Sequence, residues 1–254
     1  MNEVARVEKY GFSDMELERS ILRNSSEKKV TFNDRDNIES RFLARELVSH
    51  FLIDEPVPGI EWEYNNAIKF YSNLKKESID KALPVYFPGS SMVIQVTIPE
   101  KDNVDIPDDA SILASALNID YSIIDNYVDT TPTRDLIEDI YPSGNIVTET
   151  YNEYIDLYEF VLSNGMRVTI KNTDFKNDEI LFSAYAKGGS SLVNPDEYYN
   201  SSIAADIIEE SGYAGLSSIE IGKMLSGKVA QVKPFINYDT HGFKGKTTPD
   251  DIED

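Results

Sequence analysis

The first hundred residues carry apolar side chains at the spacing of amphipathic helices. Ser13 and Glu16 have the spacing of a capping box, in which each side chain satisfies the other residue's backbone N–H. An apolar segment with Leu17, Ile21 and Leu22 follows directly. The pattern therefore predicts a helix that begins at this point.

A second helix is predicted to begin near Asn33 or Asp34 and to end before Pro56, Pro58 and Gly59. Its apolar positions recur at steps of three to five, which places them on one face. The apolar stripe on this face consists of Ile38, Phe42, Leu43, Leu47, Val48 and Phe51.

Two more helices and one strand complete the predicted first part. A third helix carries Ile60, Tyr64, Ile68 and Tyr71 on one side, and a short helical turn near Ile79 leads past Pro84 and Pro88. Residues 91–98 are rich in Val and Ile and stop at Pro99, which is typical of a strand. One strand cannot form a sheet, so its partners must come from elsewhere.

The last hundred residues mix strand and helix patterns. Ser163-Asn164-Gly165 separates two apolar runs, and Asn-Gly tolerates the positive φ of a tight hairpin turn. A third strand is predicted at 180–186, a helix from about 197 to 211 with Gly212 as its C-terminal cap, and a second capping box at Ser217 and Glu220. Residues 229–236 and 242–246 predict a second hairpin, with His241 in its turn.

Both ends of the sequence suggest incomplete elements. Residues 2–10 have the pattern of a helix end followed by Gly11, and Thr248-Pro249-Asp250-Asp251 has the pattern of a helix start. We therefore expect an α+β protein made of two partial domains, cut from a longer polypeptide. The expected division is a mostly helical part at 1–101, a linker with short helices at 102–156 and an α+β part at 157–254.

Charge supports that division and excludes several classes of protein. The 254 residues have a formal net charge of −21, and residues 101–160 alone carry 14 acidic and two basic side chains, a net of −12. Such an acidic chain repels phosphate backbones, so we expect no nucleic-acid partner. No apolar run is long enough to span a bilayer, and the absence of cysteine excludes disulfide scaffolds and cysteine-ligated metals.

No motif in the chain predicts a catalytic, cofactor-binding or metal-binding residue. His50 and His241 are the two histidines, and neither lies in a His-Glu-x-x-His or His-x-x-Glu-His sequence. Both are interpreted as structural residues, with unconventional metal ligation as the alternative. Gly245-Lys246-Thr247 resembles the end of a phosphate-binding loop but lacks its first glycine, because position 240 is Thr.

Several phrases resemble the insulinase/pitrilysin-type (inverzincin) zinc metallopeptidases. Residues 160–171 (FVLSNGMRVTIK) are similar to that family's opening hairpin, and residues 180–191 (ILFSAYAKGGSS) to its second strand. Residues 7–19 (VEKYGFSDMELER), 49–60 (SHFLIDEPVPGI) and 93–101 (VIQVTIPEK) resemble phrases from the latter half of a peptidase unit. The resemblance implies the family's two-layer fold of helices on an antiparallel sheet.

The resemblance also implies where a metal motif should lie. The family holds zinc with a His-x-x-Glu-His helix, about thirteen residues beyond the position of Gly189, and the zinc-bound water attacks the peptide carbonyl. Here that window, residues 201–208, reads SSIAADII and contains no histidine. Asp206 alone cannot hold zinc, so the second part is interpreted as a motif-less, inactive peptidase domain.

The sequence thus predicts a non-catalytic segment that helps to enclose the substrate in a two-part chamber, with zinc in the motif-bearing half of its parent. The expected partners are the remainder of that parent and a peptide or protein substrate, and exposed strand edges would permit self-association. The alternative is a self-standing acidic module that binds basic peptides by strand addition. The residues favour neither the cytoplasm nor the cell envelope, so the compartment stays open.

Overall fold

The structure is a computed structural model that describes residues 2–86, 93–99, 101, 105–137, 142 and 144–253. Helices and antiparallel strands both occur, which confirms the α+β class. The helices in the described part are α1 (Asn2–Tyr10), α2 (Asp14–Asn33), α3 (Ser40–Ile53), α4 (Ile60–Asn73), α5 (Lys76–Tyr86), α6 (Asp109–Leu117), α7 (Tyr198–Ser211) and α8 (Ser218–Met224). The strands are β1 (Ile146–Asn152), β2 (Leu157–Leu162), β3 (Arg167–Ile170), β4 (Ile180–Lys187), β5 (Ala230–Ile236) and β6 (Thr240–Thr247).

The chain forms two compact units. The first unit consists of Met1–Ile21 and Lys69–Thr130, and the second of Leu22–Ile68 and Thr131–Asp254. The division falls inside α2 and inside α4, so both helices continue from one unit into the other. Helix α6 and strand β1 lie within the stretch predicted to be a linker.

In the first unit, the segment that follows α6 is fastened to α1. The Lys9 ammonium donates to the carbonyl oxygens of Tyr121 (2.8 Å) and Ile124 (3.0 Å), and the Tyr10 hydroxyl also donates to Ile124 O. The Ile124 side chain is buried. Side chains of α1 therefore satisfy two carbonyls of this segment, one at the start of a 3-10 turn (Tyr121–Ile123) and one directly after it.

The second unit contains two separate three-stranded antiparallel sheets. Their strand orders are β1-β2-β3 and β4-β6-β5. In the second sheet, β4 pairs with β6 over eight residues without a register shift, from Ile180 opposite Thr247 to Lys187 opposite Thr240. Helix α7 packs against β5. Each sheet therefore has two edge strands, which are β1 and β3 in the first sheet and β4 and β5 in the second.

The local sequence signals for turns and caps are confirmed. Gly165 has a φ of 85° in the turn between β2 and β3. Ser13 and Glu16 exchange hydrogen bonds at the start of α2, and Ser217 and Glu220 do so at the start of α8. Gly212 ends α7 with a φ of 93°, and its N–H donates to Ile208 O. These features depend on residues only three or four positions apart, which is why the sequence predicts them.

Other expectations were wrong. Residues 93–99 form no strand, and the remaining residues of the predicted strand, 91 and 92, lie outside the described part. Helix α5 continues through Pro84, where the missing N–H removes only one hydrogen bond near the end of the helix. His241 lies in β6 instead of the turn, and α3 begins at Ser40, after a 3-10 turn at Arg35–Asn37. The last described residues, 248–253, form hydrogen-bonded turns.

The apolar stripe of α3 is largely exposed. Phe51 is 85% exposed, and the rest of the stripe from Phe42 onward is about half exposed. The buried apolar side chains among the described residues are few and small: Ala5, Ala116, Ile124, Ala205, Leu216 and Ile221. Among the described helices, none is both long and apolar enough to cross a bilayer.

Candidate functional site

The window in which a metal motif is expected, residues 201–208, lies on α7. Residues 201–208 form the central turns of this helix. Ser202 and Asp206 are exposed and lie one turn apart on the same face, whereas Ala205, between them in sequence, is buried at 8% exposure. The helix thus has the geometry to present two side chains together, but their types are hydroxyl and carboxylate.

The polar groups of α7 serve the helix itself and its sheet. The hydroxyls of Ser201 and Ser202 each donate a hydrogen bond of 2.8 Å to the carbonyl oxygen of the residue three positions earlier in the chain. Glu209 forms an ion pair with Lys233 of β5. These contacts hold the helix in place, and they use the groups that could otherwise act on a ligand.

Each histidine ring has a hydrogen bond that fixes it within the structure. Nδ1 of His50, in the last turn of α3, donates to Glu55 O at 2.8 Å. Nδ1 of His241 accepts from the Gly189 N–H at 3.3 Å. Neither ring directs these nitrogens toward a cluster of carboxylates.

The described residues do not fit a zinc ion. A catalytic zinc site needs about three protein ligands from His, Cys, Asp or Glu. In the described ranges, no three such residues lie close enough to hold a metal. Asp206 therefore stands without the imidazole neighbours that a zinc site on α7 would require.

The pKa shifts in the described residues have local structural causes. The hydrogen bond from Ser217 lowers the pKa of Glu220, and the Lys29 ammonium lowers the pKa of Asp250. Hydrogen bonds from nearby serines lower the pKa of Asp108 and of Asp120 in the same way. Catalytic acids and bases are shifted by burial together with a charge in a cleft. These four carboxylates instead cap helices or 3-10 turns or form a surface ion pair, and none of them is buried.

A cleft of about 260 Å³ lies in the second unit, between one side of α2 and α4 and the loops at 178, 227–229 and 248–251. Ligand pockets usually measure about 300 to 1,000 Å³. The Lys29 ammonium lies 2.6 Å from the Asp250 carboxylate, and Asp251 accepts hydrogen bonds from Val229 N (2.8 Å) and the Thr248 hydroxyl (3.1 Å). The carboxylates and the ammonium named here therefore already have partners within the protein, which is typical of a packing seam.

The end of α2 is clamped to the loop between β3 and β4. Asp34 is buried, and its Oδ1 accepts from the backbone N–H groups of Asn177 (2.8 Å) and Asp178 (3.2 Å). Its Oδ2 lies 3.6 Å from the Lys176 ammonium. Asn33 adds a bond from its amide to the Asp178 carboxylate at 2.9 Å. This clamp joins residues from the first and the last of the three predicted parts of the chain.

Two curated proteins match the chain along most of its length. The "Zinc protease PQQL-like" protein of Arabidopsis thaliana is 26% identical over 224 residues, which cover 88% of this chain and 23% of that protein. The "Probable zinc protease PqqL" of Haemophilus influenzae is 22% identical over 251 residues, which cover 98% of this chain and 27% of that protein. The chain is homologous to zinc proteases of the insulinase/pitrilysin-like family. It spans about a quarter of the length of these relatives.

Two solved protease structures are also similar to the chain. The periplasmic protease PqqL from Escherichia coli aligns with a TM-score of 0.46 and 17% identity, over 99% of this chain and 28% of its own. A mutant of the ferredoxin protease FusC, in complex with Arabidopsis ferredoxin, aligns with a TM-score of 0.44 and 15% identity, over 97% and 28%. No protein-family profile matches the chain.

The sequence does not indicate which residues meet at the end of α2 and along the cleft between α2 and the loops of the second unit. Gly227 has a φ of 88°, and a Cβ added there would lie 2.8 Å from the Leu22 Cβ. The sequence pattern indicates Asp34 only as a helix start and Asp250 only as part of another helix start. The one local signal was the glycine, since nothing in the sequence indicates that positions 205 residues apart are in contact.

Proposed function

We propose that this chain is a non-catalytic segment of a zinc-dependent metallopeptidase, with a structural and substrate-enclosing role. The zinc and its His-x-x-Glu-His helix belong to another part of the parent. The observation that carries the proposal is the content of α7. In a chain homologous to zinc proteases over 88% and 98% of its length, the motif window holds Ser202 and Asp206 in place of paired histidines.

The packing of α7 supports this role. Ala205 turns inward among the few buried side chains, and Glu209 fastens the helix to Lys233 of β5. The buried side of the helix thus supports the β4-β6-β5 sheet. Its exposed side carries a hydroxyl and a carboxylate where a catalytic zinc site would need imidazoles, which suits a wall of a chamber better than its reactive centre.

The division into parts belongs to the same proposal. In it, residues 1–101 are the helical end of one peptidase-like domain, 102–156 an acidic linker, and 157–254 the start of a motif-less domain. The clamp at Asp34 and the ion pair of Lys29 with Asp250 support a structural role, because they fasten α2 to two segments of the last part.

The first experiment is a metal and activity test on the purified chain. We expect less than stoichiometric zinc by mass spectrometry of the metals, and no chelator-sensitive cleavage of a quenched fluorescent peptide library. Stoichiometric zinc together with cleavage that a chelator abolishes would overturn the proposal.

The enclosing role has a test of its own. The motif-bearing remainder of the parent, purified with its zinc, is assayed for peptide cleavage with and without this chain. We expect the chain to raise kcat/KM, since a closed chamber retains the substrate next to the metal. A rate that is the same with and without the chain would contradict the enclosing role and leave the non-catalytic assignment intact.

A further inference from the structure

Strand β4 is the longest of the four edge strands in the described part, and it has no bulge, no proline and no charged residue before its last position. It runs for eight residues at the edge of the β4-β6-β5 sheet, and its pairing with β6 has no bulge. It contains no proline, and its first charged residue is Lys187 at its very end. Leu181 is 69% exposed and Tyr185 is 71% exposed. Long, regular, uncharged edges of this kind readily pair with another strand.

The register with β6 defines which backbone groups of β4 are free to pair. Gly188 N–H donates to Asp239 O at 2.8 Å, so the position directly after β4 bonds toward β6. In an antiparallel ladder, residues alternate between bonding one neighbour and facing the other side. The even-numbered residues of β4 therefore bond β6, while Leu181, Ser183 and Tyr185 direct their N–H and C=O groups away from the sheet.

The other three edges carry protective features. By the same alternation, the outward position at the centre of β5 is Pro234, which has no N–H to donate, and Lys233 is next to it. Strand β3 has four residues and begins with Arg167. Strand β1 has a register shift between Ile146 and Thr148 and carries Glu149. Because the other three edges are protected in these ways, the β4 edge is the one most available for pairing with another strand.

We propose that β4 pairs antiparallel with β4 of a second copy of this chain, around a two-fold axis at Ser183. Outward-facing residues must meet outward-facing residues, which places Leu181 opposite the second copy's Tyr185 and Ser183 opposite its own counterpart. Leu181, Ser183 and Tyr185 then exchange about six backbone hydrogen bonds with the other strand.

The side chains are complementary in this register. Glu179, directly before β4, comes to lie opposite the second copy's Lys187, and symmetry repeats that pair at the other end. Glu179 lies 3.4 Å from Lys246 of its own chain, and a carboxylate has enough acceptor sites for both cations. On the other face, the large Phe182 lies opposite the small Ala184. Opposite charges and matched sizes across strands stabilise a pair, and these features select a second copy over an unrelated strand.

The first test measures the mass of the full chain in solution. Sedimentation equilibrium is expected to give a dimer of about 57 kDa, which is twice the chain mass of 28.7 kDa. Ser183→Pro removes an outward N–H and leaves the ladder with β6 intact, as Pro234 does on β5, so this variant should be monomeric with an unchanged circular dichroism spectrum. A wild-type chain that is monomeric at every concentration would overturn the proposal and point to a strand from elsewhere in the parent or to a bound peptide.

The second test examines the register through its charges. Lys187→Glu places like charges together at both ends and should raise the dimer Kd about tenfold, because each cross-strand pair contributes roughly 0.2 to 1 kcal/mol. Adding Glu179→Lys to that variant restores opposite charges and should recover most of the affinity. Lys81→Glu, on the exposed side of α5, is the control for the change in net charge and should leave the Kd unchanged.

A dimer that Ser183→Pro and Lys187→Glu leave intact would place the interface elsewhere and contradict the proposal. Failure of the charge rescue would reject the register at Ser183. These outcomes are independent of the zinc and cleavage measurements, so the dimer and the non-catalytic role can fail separately.

Discussion

Arg19 and Asp129 form an ion pair at 2.5 Å although 110 residues separate them. The Arg19 side chain is 16% exposed and the Asp129 side chain 4% exposed. The pair fastens the segment that follows α6 to α2, within the first unit. It adds to the bonds that Lys9 and Tyr10 make to the same segment.

Loss of one member of this pair should be costly. Arg19→Met leaves the Asp129 carboxylate buried without its cation, and removal of one partner of a buried pair costs about 3 to 5 kcal/mol. The double variant Arg19→Met, Asp129→Leu removes both charges and should recover much of that loss. Urea unfolding followed by circular dichroism measures both. A double variant less stable than the single one would contradict this interpretation.

The clamp at Asp34 should depend on its oxygen atoms more than on its charge. Asp34→Ala leaves the N–H groups of Asn177 and Asp178 without an acceptor and should cost about 2 to 3 kcal/mol. Asp34→Asn keeps one oxygen for both donors and loses only the attraction to Lys176, so it should cost about 1 kcal/mol or less. Hydrogen exchange of residues 172–179 should accelerate far more in Asp34→Ala. Equal exchange in the two variants would reject the clamp.

The close approach of α2 to the turn at Gly227 predicts a difference between two glycines of the same conformation. Gly227 and Gly59 both have a φ of 88°, but an added Cβ meets Leu22 at Gly227 and open space at Gly59. Gly59→Ala should cost only the strain of a positive φ, about 1 kcal/mol, and Gly227→Ala that strain plus overlap, about 2 to 4 kcal/mol. Equal losses in chemical denaturation would show that the turn moves away freely.

The ion pair of Lys29 with Asp250 should make a small contribution to stability that depends on pH. The pKa of Asp250 is lowered by Lys29, so its contribution is complete above the ordinary carboxyl value of 3.8 and is lost as the pH falls through the folded value. The pKa of Lys29 is raised by Asp250, so its contribution is complete below 10.5 and is lost as the pH rises through the folded value.

The check compares wild type with Asp250→Asn in unfolding experiments across this range and at two salt concentrations. Both side chains are at least half exposed, so the difference should be small and should shrink with salt. A difference that grows as the pH falls through the acid range would have the wrong sign and would contradict the assignment.

A metal-binding graft can test the geometry of α7. Ser202→His, Asp206→His places two imidazoles one turn apart on an exposed face, which should bind Zn²⁺ or Ni²⁺ where the wild type does not. Metal at a hundred times its Kd should raise the free energy of unfolding by about 2.7 kcal/mol. The control Ser202→His, Ile203→His points its rings apart and should show little stabilisation. Equal binding by the control would contradict the helical register.

The sequence predicts those elements whose causes lie within a few residues. The hairpin at Gly165, the two capping boxes and the end of α7 at Gly212 each depend on a turn or a cap that the neighbouring residues determine. The strand expected at 91–98 was wrong for residues 93–98, because a strand needs a partner strand that the local sequence does not specify. Arg19 with Asp129, and Asp34 with Asn177, could not be predicted, since composition does not indicate which distant positions meet.

For the candidate site, the sequence determines which residue types α7 carries, but it predicts the surface around them poorly. Residues 201–208 contain no histidine, so this helix cannot present the paired imidazoles of a His-x-x-Glu-His motif. The exposed stripe of α3 shows the opposite limit. Periodicity places Phe42 and Phe51 on one face, but it cannot tell whether the chain itself supplies the surface that covers that face.

Pro234 determines how far the β4-β6-β5 sheet can grow. It closes the β5 edge, so the sheet can accept a strand only at β4. If both edges were open, each copy could add another on either side, and the result would be a fibre without a defined end. With a single open edge, pairing uses up the bare strand of each partner, so growth stops at two copies. Pro234 therefore limits the assembly to two copies instead of a filament.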